Sequence, residues 1–130
     1  MKTPKYVNFV KATKRLNEAN TVYRSQPDNE FYQDSLIKRF EFSFELAWKS
    51  LREYMTEQGY MLTIGSPKGV FGFAYQEGII QSEQVWLDML ECRNQSTHDY
   101  GNDLAASLAD SISNKYAKEL TRLAKLISEQ

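Results

Sequence analysis

Residues 29–59 read NEFYQDSLIKRFEFSFELAWKSLREYMTEQG. Within them Ile37, Phe40, Phe44, Ala47, Trp48, Leu51 and Met55 recur at short steps, mostly of three and four. An α-helix turns once in about 3.6 residues, so this spacing gathers those side chains on one face. A strand would alternate at every second position, and no segment of the chain offers a convincing alternation of that kind. The stretch therefore reads as a helix from about Asn29 to Gln58, closed by Gly59 as its C-terminal glycine. The aromatic stripe reads as core packing.

The same period extends outward in both directions. Upstream, Thr3 is a candidate N-cap with Pro4 at the first helical position, and Phe9, Ala12, Leu16, Ala19 and Tyr23 share a face. Gln26-Pro27-Asp28-Asn29 breaks that pattern. Downstream, a loop over Tyr60 to Gly65 leads to Ser66-Pro67, again a cap followed by proline. A short helix through Val70, Phe71 and Ala74 is expected to end near Gly78, weakened by Gly69 and Gly72. Ser82 can cap a fourth helix carrying Val85, Trp86, Met89 and Leu90. A last helix starts near Asn102 or Asp103 and carries Leu104, Leu108, Ile112, Tyr116, Leu120, Leu123 and Ile127. Four long amphipathic helices with short connections predict an all-α, antiparallel up-and-down four-helix bundle, with the extra short helix lying across one end.

Composition bounds the function. At 130 residues the chain is expected to be one helical domain spanning 1–130. The net charge of −1 does not suggest a bulk nucleic-acid or membrane binder, so any polyanion site must be local. The one cysteine, Cys92, has no partner for an internal disulfide, and a reducing cytoplasm fits best. No apolar run suggests a signal peptide or a membrane span.

The stretch Glu91-Cys92-Arg93-Asn94-Gln95-Ser96-Thr97-His98-Asp99-Tyr100 stands out, because it holds the only histidine. On the fourth helix Trp86, Leu90 and Thr97 read as one stripe with Arg93 and Asn94, apolar at first and polar towards its end. Buried polar groups are costly unless paired. Either these residues satisfy one another, or they line a cleft or a subunit interface. Arg93 and His98 are five apart, which is about 140° around an unbroken helix, whereas Asn94 and His98 share a face. Arg93 and His98 converge if the helix ends near His98, if the arginine wraps round, or if two chains build one site. An imidazole can move a proton from a ribose 2′-hydroxyl, and a guanidinium can grip a phosphate as its charge builds. Such chemistry needs no metal and no cofactor.

Arg93-Asn94-x-x-x-His98 resembles the R-x4–6-H motif of HEPN domains, and His98-Asp99-Tyr100 extends it to the R-x4-H-x-Y form of HepT-type toxins. Residues 39–49, RFEFSFELAWK, the stretch from Ser66-Pro67 to Gly78-Ile79-Ile80, and Trp86 are similar to the nucleotidyltransferase substrate-binding subfamily. The likeness spans nearly the whole chain in order. It implies a four- or five-helix bundle, a homodimer, and a minimal nucleotidyltransferase (MNT-type) partner subunit. It also implies one of two activities. The first is a metal-independent endoribonuclease toxin acting on RNA through Arg93, Asn94 and His98, with the partner silencing it by AMPylation of Tyr100. The second is a non-catalytic subunit that binds substrate for the nucleotidyltransferase.

Other residues have plainer readings. Glu41 and Glu45, one turn apart, are expected to bond Arg39, Lys49 or Arg93 rather than a metal, since no third ligand stands at a suitable spacing. Cys92 reads as a small buried or interface residue. Lys11, Lys14 and Arg15 read as a solvated helix face. The glycines of Ser66–Gly72 lack the lysine spacing of a phosphate-binding loop.

Overall fold

The long aromatic stretch is a helix, and its ends are set by local chemistry. The side-chain oxygen of Asn29 accepts a hydrogen bond from the Tyr32 N–H at 3.1 Å, which satisfies one of the donors that a helix start leaves unpaired. The helix runs Glu30–Glu57 (α2), and Gly59 beyond it takes φ of 92°, where a side chain would be strained. A computed structural model describes residues 4–61, 65–98 and 101–129 of the chain. Thr3 and residues 62–64 of the expected loop lie outside the described residues.

The other helices are α1 (Pro4–Ser25), α3 (Pro67–Gln76), α4 (Glu83–Ser96), α5 (Asn102–Ser111) and α6 (Ala117–Ser128). Ser66 and Ser82 cap α3 and α4 through their side chains, as their positions ahead of the apolar runs imply. Gly78 closes α3 at φ of 75°. No strand occurs among the described residues.

Paired hydrogen bonds give the directions of the long helices. Tyr6 donates to Glu57 at 3.2 Å and Ser43 to the Ala12 carbonyl at 3.2 Å, so α1 and α2 run antiparallel. Asn17 donates to Thr121 at 3.0 Å and Arg24 to Ser113 at 3.0 Å, so α1 also runs against the last helical stretch. Glu45 meets Arg93 and Glu41 meets Ser96, so α4 runs against α2. The bundle is all-α, and α2 is its central member, packed against each of the other helices. Every residue of the predicted α2 stripe is buried. Its rings continue into neighbouring helices. Phe40 stacks on Phe44 with centroids 5.8 Å apart, and Phe71 of α3 lies 5.2 Å from Trp86 of α4. This aromatic cluster fixes how α4 sits on α2.

The last helix departs from the expectation of one regular α-helix. Between α5 and α6 the residues Ile112–Tyr116 form a π-turn, in which the Ala117 N–H bonds the Ile112 carbonyl five residues back. The cause is legible in the apolar spacing. Leu104, Leu108, Ile112, Tyr116 and Leu120 are all four apart. Each such step overshoots a full turn by about 40° in a regular α-helix, so the stripe would wander to the far side of the helix. The wider turn resets the register, and Ile112, Tyr116, Leu120, Leu123 and Ile127 are all buried.

Candidate functional site at the end of the fourth helix

The Ser82 hydroxyl accepts from the Val85 N–H at 3.2 Å and starts α4. Trp86 is wholly buried, and its Nε1 donates to Glu119 of α6 at 2.8 Å. Glu119 also holds Arg122 through two bonds of 2.9 and 2.8 Å. The apolar start of α4 is thus pinned to α6 by an indole N–H bond to a carboxylate that no period in the sequence signals. Met89 and Leu90 continue inward.

At the polar end the helix turns towards acids on α2. Arg93 Nη1 donates to Glu45 Oε2 at 2.9 Å, and Glu45 Oε1 lies 3.6 Å from Lys49 Nζ. Arg93 Nε is buried with no hydrogen-bond partner among the described residues. The Ser96 hydroxyl stands within bonding distance of Glu41 Oε2 at 3.0 Å and of the Arg93 carbonyl at 2.9 Å. The expected role of the two glutamates, bonding to basic side chains, holds for Glu45. Glu41 meets a serine instead. No group of metal-ligating residues occurs among the described residues.

The inward line of α4 differs in part from the one read in the sequence. Trp86 and Leu90 are buried and Arg93 is half-buried, but Asn94 and Thr97 are exposed. The buried positions near the end are Cys92 and Ser96. A serine is polar in any hydropathy pattern, and only the glutamate opposite makes its burial intelligible. Burial, reinforced by the nearby Glu41 carboxylate, pushes the Cys92 thiol up to about 12, which suits a packing residue and not a nucleophile.

The helix ends where the glycine at position 101 suggests. Thr97 caps it, with its N–H on the Arg93 carbonyl at 3.3 Å and its hydroxyl on the Asn94 carbonyl at 2.9 Å. His98 lies just past the cap and is exposed. Asn94 and His98 are thus both solvent-facing, while Arg93 is held on the α2 side. Asp99 and Tyr100 lie outside the described residues. Lys11 and Arg15 are exposed as expected, and they line a groove of about 200 Å³ with Arg39 and Phe42. Among the described residues no helix is long and apolar enough to cross a membrane.

Fold and site together define an all-α bundle with a polar helix end docked on acids of its central helix. The model of the family "Nucleotidyltransferase substrate binding protein like" matches residues 4–129, and the chain belongs to that family. A crystal structure of a protein from Thermus thermophilus is similar, with a TM-score of 0.72 and 27% identity over 92% of this chain and 94% of that one. A search of curated proteins gives no match.

Proposed function

We propose that this chain is the substrate-binding subunit of a two-component nucleotidyltransferase. It would work as a homodimer in the cytoplasm beside an MNT-type catalytic partner, and the exposed end of α4 would meet the substrate. The observation that carries the reading is the pairing of Arg93 with Glu45 at 2.9 Å. A guanidinium whose charge is already answered by a carboxylate has less to give to a phosphate in a transition state. It remains a fixed, oriented part of a binding surface. Asn94 and His98, exposed beside it, supply an amide and an imidazole for a polar substrate. The test is the partner's transfer reaction with Asn94→Ala and His98→Ala forms of this chain. A substrate-binding role raises KM at nearly constant kcat. A fall in kcat with KM unchanged contradicts it.

A second reading has its own observation. Arg93 Nε has no partner among the described residues and His98 is exposed past the helix cap, so part of the guanidinium stays uncommitted within the fold and the imidazole is accessible. Two protomers of a HEPN-type dimer that brought their copies together would have the parts of a metal-independent ribonuclease toxin. His98 would move the 2′-hydroxyl proton, and Arg93 and Asn94 would hold the phosphate. AMPylation of Tyr100 by the partner would then silence it. RNA cleavage in excess EDTA that vanishes in His98→Ala favours this reading over the first.

A further inference from the structure

Away from α4, helices α1 and α6 line an open groove of about 400 Å³ that neither reading uses. Its α6 wall carries Lys118, Arg122 and Lys125, three cations at the four- and three-residue steps that put them on one face. Like charges at those steps destabilise a helix by a few tenths of a kcal/mol per pair, and a chain with net charge −1 has no general need of them. Arg24 on α1 adds a fourth cation, and no carboxylate lines the groove among the described residues. Glu119 answers Arg122 from the side. Lys118 and Lys125 are exposed and have no acidic partner among the described residues.

The groove is also built. Arg24 Nε donates to the Ser113 hydroxyl at 3.0 Å and its Nη2 to the Ser113 carbonyl at 3.1 Å, which leaves Nη1 uncommitted. Ser113 belongs to the π-turn, so the irregular turn in the last helix anchors this arginine. Such turns recur at functional sites. Beside it the Asn20 side-chain oxygen is buried and lacks a hydrogen-bond partner, although buried polar atoms are normally satisfied.

We propose that the α1–α6 groove is a phosphate-binding site that takes a compact polyphosphate, such as the triphosphate of a nucleotide, on Lys118, Lys125 and Arg24, with Arg122 held at its edge by Glu119. A crowd of cations around a polar cleft fits a dense anion better than it fits an apolar ligand or a second copy of the same positive face. Lys118 and Lys125 stand clear of the core, so changing them leaves the fold intact.

The test is isothermal titration of the purified chain, without any partner enzyme, in phosphate-free buffer at low salt. The probes are inorganic tripolyphosphate, ATP, adenosine and a single-stranded oligouridylate. Tripolyphosphate and ATP should bind and adenosine should not. Lys118→Gln and Lys125→Gln should each weaken binding roughly tenfold, the size of a lost charge-assisted hydrogen bond. Lys14→Gln with Lys38→Gln removes two exposed charges elsewhere and should leave binding within about twofold. No heat with tripolyphosphate or ATP at millimolar concentration overturns the site. So does equal weakening by the control pair, which would mean diffuse attraction. Binding of the oligouridylate without tripolyphosphate overturns the compact-anion assignment in favour of a nucleic-acid backbone.

Discussion

Replacing Arg93 with methionine and Glu45 with glutamine, singly and together, measures how far the arginine is committed within the fold. Methionine keeps much of the stem packing and removes the charge. The side chains are 27% and 36% exposed, so the 2.9 Å bond sits in partly screened surroundings. A wholly buried pair would cost about 3–5 kcal/mol to break, whereas exposed pairs couple by about 0.2–1 kcal/mol. The expected coupling energy is therefore about 1 kcal/mol, at the upper edge of the exposed range. Arg93→Met alone should lower Tm by about 3–5 °C for a chain of this size. Urea unfolding of the four proteins followed by tryptophan fluorescence gives the coupling directly, and 1 M salt should reduce it by more than half. Coupling indistinguishable from zero at low salt would refute the reasoning. Glu45 would then not be the partner of Arg93 in solution, and the guanidinium would be available as a phosphate clamp.

Other consequences follow from the packing. Because burial raises the Cys92 thiol to about 12, above its usual 9.0, the native protein should resist iodoacetamide at pH 8 and react fully once unfolded. The unfolded chain gives up that proton near pH 9 while the folded one keeps it, so stability should fall as pH rises from about 9 towards 12; a flat stability profile there contradicts the burial. Trp86→Phe keeps a ring against Phe71 and Phe44 but deletes the bond to Glu119, which should cost about 1–2 kcal/mol in a urea melt. Gly59→Ala meets no neighbour, yet φ of 92° disfavours any side chain, so it should lose about 1 kcal/mol; unchanged stability would mean that the turn is not held there.

The bundle was legible in the sequence because helix periodicity and capping are local. Asn29, Ser66 and Ser82 each lie where their side chains cap, and the stripe from Ile37 to Met55 is buried throughout. The π-turn was implicit in the four-residue spacing from Leu104 to Leu120, but a stripe read only as apolar conceals the accumulated rotation. The site was less legible. That Arg93 could meet Glu45 was readable as a pairing of opposite charges one or two helices apart. The burial of Ser96 against Glu41 and the tie from Trp86 to Glu119 depend on how helices far apart in sequence meet. The cations of α6 carried no warning either, because Lys118, Arg122 and Lys125 resemble any solvated helix face until α1 is laid alongside.

The central claim is that this chain serves a nucleotidyltransferase by binding its substrate. The most direct measurement is the rate of nucleotide transfer by the cell's minimal nucleotidyltransferase to an RNA or small-molecule acceptor, with and without an equimolar amount of this chain. A stable complex in light scattering and a rise in kcat/KM of at least tenfold on adding the chain are expected, with this chain itself unmodified by mass. No complex and no change in rate would contradict the account, and so would a complex whose only product is this chain carrying AMP.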